Sequence, residues 1–202
     1  MGPRAAIRLH RREPWLDGNL WTVLSVRPEE PATFTARLHA DTWHLAGDAA
    51  AAVVLGELFW ALAFQRHQRT VILIDASPSP ILLVNASLEI PSTAMVAELA
   101  ALLPFATPSL GTVKLRTAGL VRALAEPEAS EVRAGFTAPA DWQKCMKRES
   151  DALLVYAAPD AMLRGQAVAL ATAGELGGES GGQGVCGPMV FGAPGEPTVL
   201  PG

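Results

Sequence analysis

The chain has 202 residues, half of them hydrophobic and 18% charged. That excludes a disordered or collagen-like chain, and the length suffices to bury a core without disulfides or metal. Twenty acidic against 16 basic residues leave a net charge of −4, so composition gives no global reason to expect nucleic acid or an anionic membrane as partner. The expected product is a single globular domain of soluble type.

Arg outnumbers Lys by 13 to 3, a skew that fits GC-rich, bacterial-type coding. Cys145 and Cys186 are the only cysteines, too few for a secreted disulfide framework. The first residues lack the apolar stretch and small-residue cleavage site of a secretory signal. Ala6 stands where a myristoylation signal takes Ser or Thr. The cytoplasm is the expected compartment.

Residues 1–18 read as a basic, Pro-punctuated arm with Arg4, Arg8, His10, Arg11 and Arg12. Leu20 to Arg27, Thr33 to His39 and Thr42 to Ala46 then read as the strands of an N-terminal β-meander. A turn at Ala40-Asp41 sets His39 opposite Thr42 and His44 opposite Arg37. Asp48 caps a helix over the apolar run Ala49 to Phe64, which only Gly56 and Glu57 interrupt. The run falls short of the roughly 20 residues that a membrane span takes, and a mid-run carboxylate would be costly there. Being apolar all round, it reads as a buried central helix, covered by the other helices or by another subunit.

Thr70 to Ile74 and Ile81 to Val84 are apolar at almost every position, as strands covered on both faces are. Ala76-Ser77-Pro78-Ser79-Pro80 between them is too short for a helical crossover and predicts a hairpin. Ser92 caps a helix through Leu103 that Pro104 ends. Gly111 to Thr117 and Glu131 to Thr137 read as strands. Asp141 opens a helix to Ser150, with Trp142, Cys145 and Met146 on an apolar stripe and Lys144, Lys147 and Arg148 on a basic face. Ala152 to Ala157 reads as a strand, and Pro159-Asp160 opens an Ala-rich helix to Glu175. The predicted fold is α+β over 19–176, a mixed and mostly antiparallel sheet packed on the buried Ala-rich helix. A Gly/Pro-rich segment, 177–202, follows and packs on the domain or a partner.

Asp75, Ser77 and Ser79 form a D-x-S-x-S pattern that resembles the metal site of von Willebrand A-type domains, whose hard oxygens suit Mg²⁺. That site is followed by a helix, whereas Pro80 leads into a strand, so a Pro-stiffened loop is expected and no metal. His39, Asp41 and His44 are close in sequence, but an imidazole set beside Arg37 opposes metal binding. Gly178-Glu179-Ser180-Gly181-Gly182 resembles the esterase nucleophile elbow, without the strand before and helix after that would expose Ser180. Gly181, Gly182 and Gly184 can turn successive N–H groups toward an anion or toward the Cys186 thiol, lowering its pKa. His44 or His67 would have to be brought there as base. The run Gly181 to Gly187, followed by Gly195-Glu196-Pro197 and Leu200-Pro201-Gly202, is similar to the C-terminal part of an uncharacterised prokaryotic family, a likeness that implies no activity.

No nucleophile, base and orienting group share a credible spacing. The expected function is therefore a non-catalytic protein-interaction or assembly subunit of a cytoplasmic complex. It would bind a protein partner or a second copy, with no cofactor, nucleic acid or membrane. The alternative is a small enzyme or anionic-ligand-binding protein built on the Gly-rich loop and Cys186.

Overall fold

The computed structural model describes residues 2–39, 42–78, 80–85, 88–106, 108–125, 146–149, 152–157, 167–168, 171 and 189–191. For 36–39, 42–46, 77–78, 146–149, 152–157 and 189–191 the backbone alone is described. The chain opens with β1 (Ala6–Arg12), β2 (Trp15–Leu16), β3 (Asn19–Leu20), β4 (Thr22–Val26), β5 (Phe34–His39) and β6 (Thr42–Gly47). Helix α1 (Ala49–Ala63), β7 (Thr70–Ile74), β8 (Ser77–Pro78), β9 (Ile81–Asn85) and α2 (Thr93–Ala101) follow. Then come β10 (Gly111–Arg116), α3 (Ala118–Ala125), β11 (Met146–Glu149), β12 (Ala152–Ala157) and β13 (Met189–Phe191).

The predicted α+β class holds. The main sheet runs β10-β1-β4-β7-β9-β12-β11. Its β4–β7 and β9–β12 neighbours are parallel and the others antiparallel. Every residue of β7 and β9 is buried, as central strands covered on both faces require, and the two pair as the expected hairpin. On one face Ile7, Leu9, Leu24 and Ile72 pack with α1 and with Leu120 and Leu124 of α3. On the other, Val23, Val71, Leu73 and Leu82 pack with Met95, Val96 and Leu99 of α2 and with Leu16 of β2.

Two expectations are corrected here. Residues 6–12 are an internal strand instead of a free arm, because Ile7 and Leu9, both fully buried, alternate with Arg8 and His10. The meander also breaks after β4. Strands β5 and β6 pair in the expected register, Arg37 opposite His44 and His39 opposite Thr42. They belong to a second sheet ordered β13-β6-β5-β8. In β4, Val23, Leu24 and Ser25 are all buried, which makes it a central strand held between β1 and β7.

Asp48 caps α1, its Oδ1 accepting from the Ala51 N–H at 2.7 Å, and Ser92 Oγ does the same for α2 from Met95 N–H at 3.0 Å. Helix α1 is covered within the chain. A Cβ at Gly56 would stand 2.7 Å from the Ala167 carbonyl oxygen, so the helical residues Ala167 and Ala171 lie directly on it. At its C-terminal end the buried Asn85 donates from Nδ2 to the Leu62 carbonyl at 3.1 Å. Glu57, the one carboxylate of the apolar run, is fully buried and is met by Arg4.

Residues 146–149 form β11, antiparallel to β12 with Met146 opposite Val155, where a helix to Ser150 was expected. Pairing to a neighbouring strand overrides local helix preference, and Lys147 and Arg148 are successive residues of a strand instead of members of a helix. Residues 131–137 and 141–145, with the strand and helix start expected there, lie outside the described residues. Met189–Phe191, the one apolar run of the Gly/Pro-rich segment, pairs with β6. No described helix is long and apolar enough to cross a membrane.

Candidate functional site

Strand alternation sorts the charges of β1 and β10 onto two faces. Ile7, Leu9, Val113 and Leu115 turn toward α1. Arg8, His10 and Arg12 turn the other way with Thr112, Lys114 and Arg116. The register sets Arg8 opposite Lys114, His10 opposite Thr112 and Ala6 opposite Arg116. Here α2 covers β4, β7 and β9 and stops short of the ribbon, so Arg8, Thr112, Lys114 and Arg116 are exposed. Among the described residues no carboxylate is ion-paired with Arg8, Lys114 or Arg116. Like charges directly opposite destabilise a strand pair, and an acidic chain has here gathered a basic surface at the edge of its sheet.

The ribbon runs into an apolar hollow at its Arg12 end. The guanidinium lies 4.3 Å from the centroid of Phe105 and donates from Nη1 to Ser25 Oγ at 3.0 Å. Burial pulls its pKa below the ordinary value, and a guanidinium remains charged at neutral pH. Beyond it a hollow of about 490 Å³ is lined by Phe105, Leu102, Leu103 and Leu110, with Glu13, the ion-pair partner of Arg11, also in its lining; Leu110 is 70% exposed.

A larger cleft, about 1150 Å³, opens on the opposite face between the C-terminal half of α1 and α3. Thr22, Leu24, Val113 and Leu115 floor it, and Trp60 and Phe64 wall it. Gly119 of α3 lies flat on the indole, since a Cβ there would stand 2.6 Å from Trp60 Cζ2. Arg11, Arg122 and His67 line the cleft, and Lys114 and Arg116 border it along the edge of β10. None of the described lining residues is acidic.

The residues singled out from sequence are scattered. His67 is exposed beside this cleft. His44 lies in β6, between Arg37 of β5 and Val190 of β13. Asp75 is exposed after β7, and Ser77 forms a strand pair with Thr35. Ser79, Cys145, Ser180, Gly181, Gly182, Gly184 and Cys186 lie outside the described residues. Among the described residues no three His, Cys, Asp or Glu side chains come together as a metal site. The basic ribbon was missed. Its signal was the two-residue spacing of Arg8, His10 and Arg12 and of Lys114 and Arg116, visible once 6–12 is read as a strand. No protein-family model matches the chain, and no curated protein or solved structure matches it significantly.

Proposed function

We propose that this chain is a non-catalytic interaction subunit that holds an acidic, amphipathic segment of a partner protein along the β1–β10 ribbon. The observation that carries this reading is the basic face of Arg8, Lys114 and Arg116, without a carboxylate partner among the described residues and continuous with the apolar hollow at Phe105. Opposed charges steer such a partner, and the hollow offers its apolar side chains a place to leave water. A protein suits the surface better than nucleic acid. The hollow is largely aliphatic, and its one aromatic ring, Phe105, is already occupied by Arg12, so unstacked bases find no platform.

The test uses two labelled peptides of equal negative charge, one with Leu at alternate positions and one with Ser in their place. Fluorescence anisotropy should show the Leu peptide binding tighter, with an affinity that falls as salt rises. An Arg8→Glu/Lys114→Glu variant should bind neither. Equal affinity for the two peptides, or binding indifferent to the charge reversal, overturns the reading.

A second reading, a thiol-dependent enzyme or anion-binding site at Cys186, draws on one observation. Strand β13 pairs Val190 with His44, which brings the chain four residues beyond Cys186 alongside a histidine.

A further inference from the structure

The cleft between α1 and α3 shares the β10 edge, Lys114 and Arg116, with the ribbon but opens on the opposite face of the sheet, and carries a separate reading. Its size is of the order of small-molecule sites, roughly 300–1000 Å³, and its floor is apolar with a few polar groups at the rim, as such sites are built. Those polar groups are donors. Arg11 and Arg122 can only donate; Arg11 is already paired with Glu13, which leaves Arg122 as the cation for a ligand. The Gln65 amide oxygen already accepts from the Arg66 and His67 N–H groups at 2.8 and 2.9 Å. The Gln68 amide oxygen accepts from the Glu89 N–H at 2.9 Å. Each amide therefore has its NH₂ left to offer. With no acidic residue among the described lining, the cleft matches a ligand rich in acceptors and negatively charged.

The walls specify the rest. Phe64, the C-cap residue of α1, is 52% exposed. Its ring centroid lies 5.6 Å from that of Trp60, against whose indole Gly119 packs. A rigid aromatic pair with one ring open to solvent is a stacking platform for a flat ligand. We infer that this cleft binds a nucleoside monophosphate. The base lies on Phe64, its acceptor atoms face the amide NH₂ groups, and the phosphate is held by Arg122.

Calorimetric titration of the full chain with AMP, ribose 5-phosphate and inorganic phosphate separates the parts of this claim. AMP should bind saturably and about tenfold or more tighter than ribose 5-phosphate, the gain expected of one stacked base. Phe64→Ala should bring AMP down to the level of ribose 5-phosphate, while Phe64→Tyr, which keeps the ring, should retain the preference and so separate lost stacking from lost fold. Arg122→Glu should weaken both phosphates about tenfold or more, because it replaces an attraction by a repulsion. Absence of saturable AMP binding overturns the inference. So does equal affinity for the two sugar phosphates, or AMP binding that neither Phe64→Ala nor Arg122→Glu changes. Phe64 and Arg122 belong to the cleft and not to the ribbon, so these outcomes are read apart from peptide binding.

Discussion

Arg4 reaches across 53 positions to meet Glu57 with its backbone and its side chain at once. The Arg4 N–H lies 2.6 Å from Glu57 Oε1 and Nη2 lies 2.5 Å from Oε2, while Nη1 holds Glu30 at 2.7 Å. Thr117 Oγ1 donates to the Arg4 carbonyl at 2.5 Å, so the start of the chain is fixed to α1 and to the β10–α3 junction. The hydrogen bonds that Arg4 donates to Glu57 raise its pKa, with Glu30 adding to it against the effect of burial.

Arg4→Met leaves the buried Glu57 without its countercharge, held only by the backbone N–H of residue 4, and should cost about 3–5 kcal/mol in chemical denaturation. Arg4→Met/Glu57→Leu should recover much of that loss, since the buried charge goes with its partner. A double variant no more stable than the single one would show that Arg4 acts by packing alone. The raised Arg4 pKa makes its contribution complete at every pH below the ordinary guanidinium range and lost only as pH rises through the still higher folded value. No Arg4-linked change in melting temperature is therefore expected between about pH 6 and pH 9.

Gly56→Ala tests the inner cover of α1. Helix propensity favours Ala by roughly 1 kcal/mol, but the new Cβ would meet the Ala167 carbonyl oxygen at 2.7 Å and the Ala171 nitrogen at 3.0 Å. Both are backbone atoms and cannot rotate away. Overpacking should win, with a net loss of about 1–3 kcal/mol in denaturant titration. A neutral or stabilising result would mean that 167–171 does not rest on α1.

Lys114→Glu should stabilise the fold while weakening peptide binding. It turns the repulsion across the Arg8–Lys114 pair into attraction, a gain of roughly 0.2–1 kcal/mol. Thermal melts and anisotropy on the same variant read both effects. Higher stability with unchanged binding would reduce the basic face to protection of a sheet edge against aggregation.

Ser92→Ala removes two bonds at once. Ser92 Oγ caps α2 through the Met95 N–H and donates to Asp17 Oδ2 at 2.5 Å, tying the helix to the β2–β3 turn. A loss of about 1–2 kcal/mol is expected, toward the upper range for a cap. Asp17→Gly, which keeps the cap and suits the φ of 48° at this position, should lose less than Ser92→Ala if the cap dominates; the comparison of melting curves decides.

The Cys186 reading has its own measurement. Iodoacetamide labelling of the native chain from pH 5 to 9, with Cys186→Ser as control, should show fast alkylation near neutrality if the thiol is activated. Titration like a free thiol, near pH 8.5, would end that reading.

Local chemistry alone determined the elements whose signals are self-contained. Asp48 and Ser92 each precede an apolar run and cap α1 and α2 as read from sequence, because capping involves a side chain and a backbone only three residues on. The β5–β6 register followed from a two-residue turn and the β7–β9 hairpin from a short loop between apolar runs. One local signal was readable and passed over. Asp17-Gly18 takes φ values of 48° and 67° to close the β2–β3 hairpin, and Asp-Gly is a favoured pair for that turn. Tertiary structure decided what depends on distant partners. Arg4 looked like one charge of an arm until Glu57, buried in α1, gave it a place. Residues 146–149 became a strand because β12 offered an edge. The basic face and the cleft both needed β10 beside β1, more than 100 positions away. Pairing over such distance leaves no local trace, since the free energy that selects it comes from surfaces that exist only once the sheet has formed.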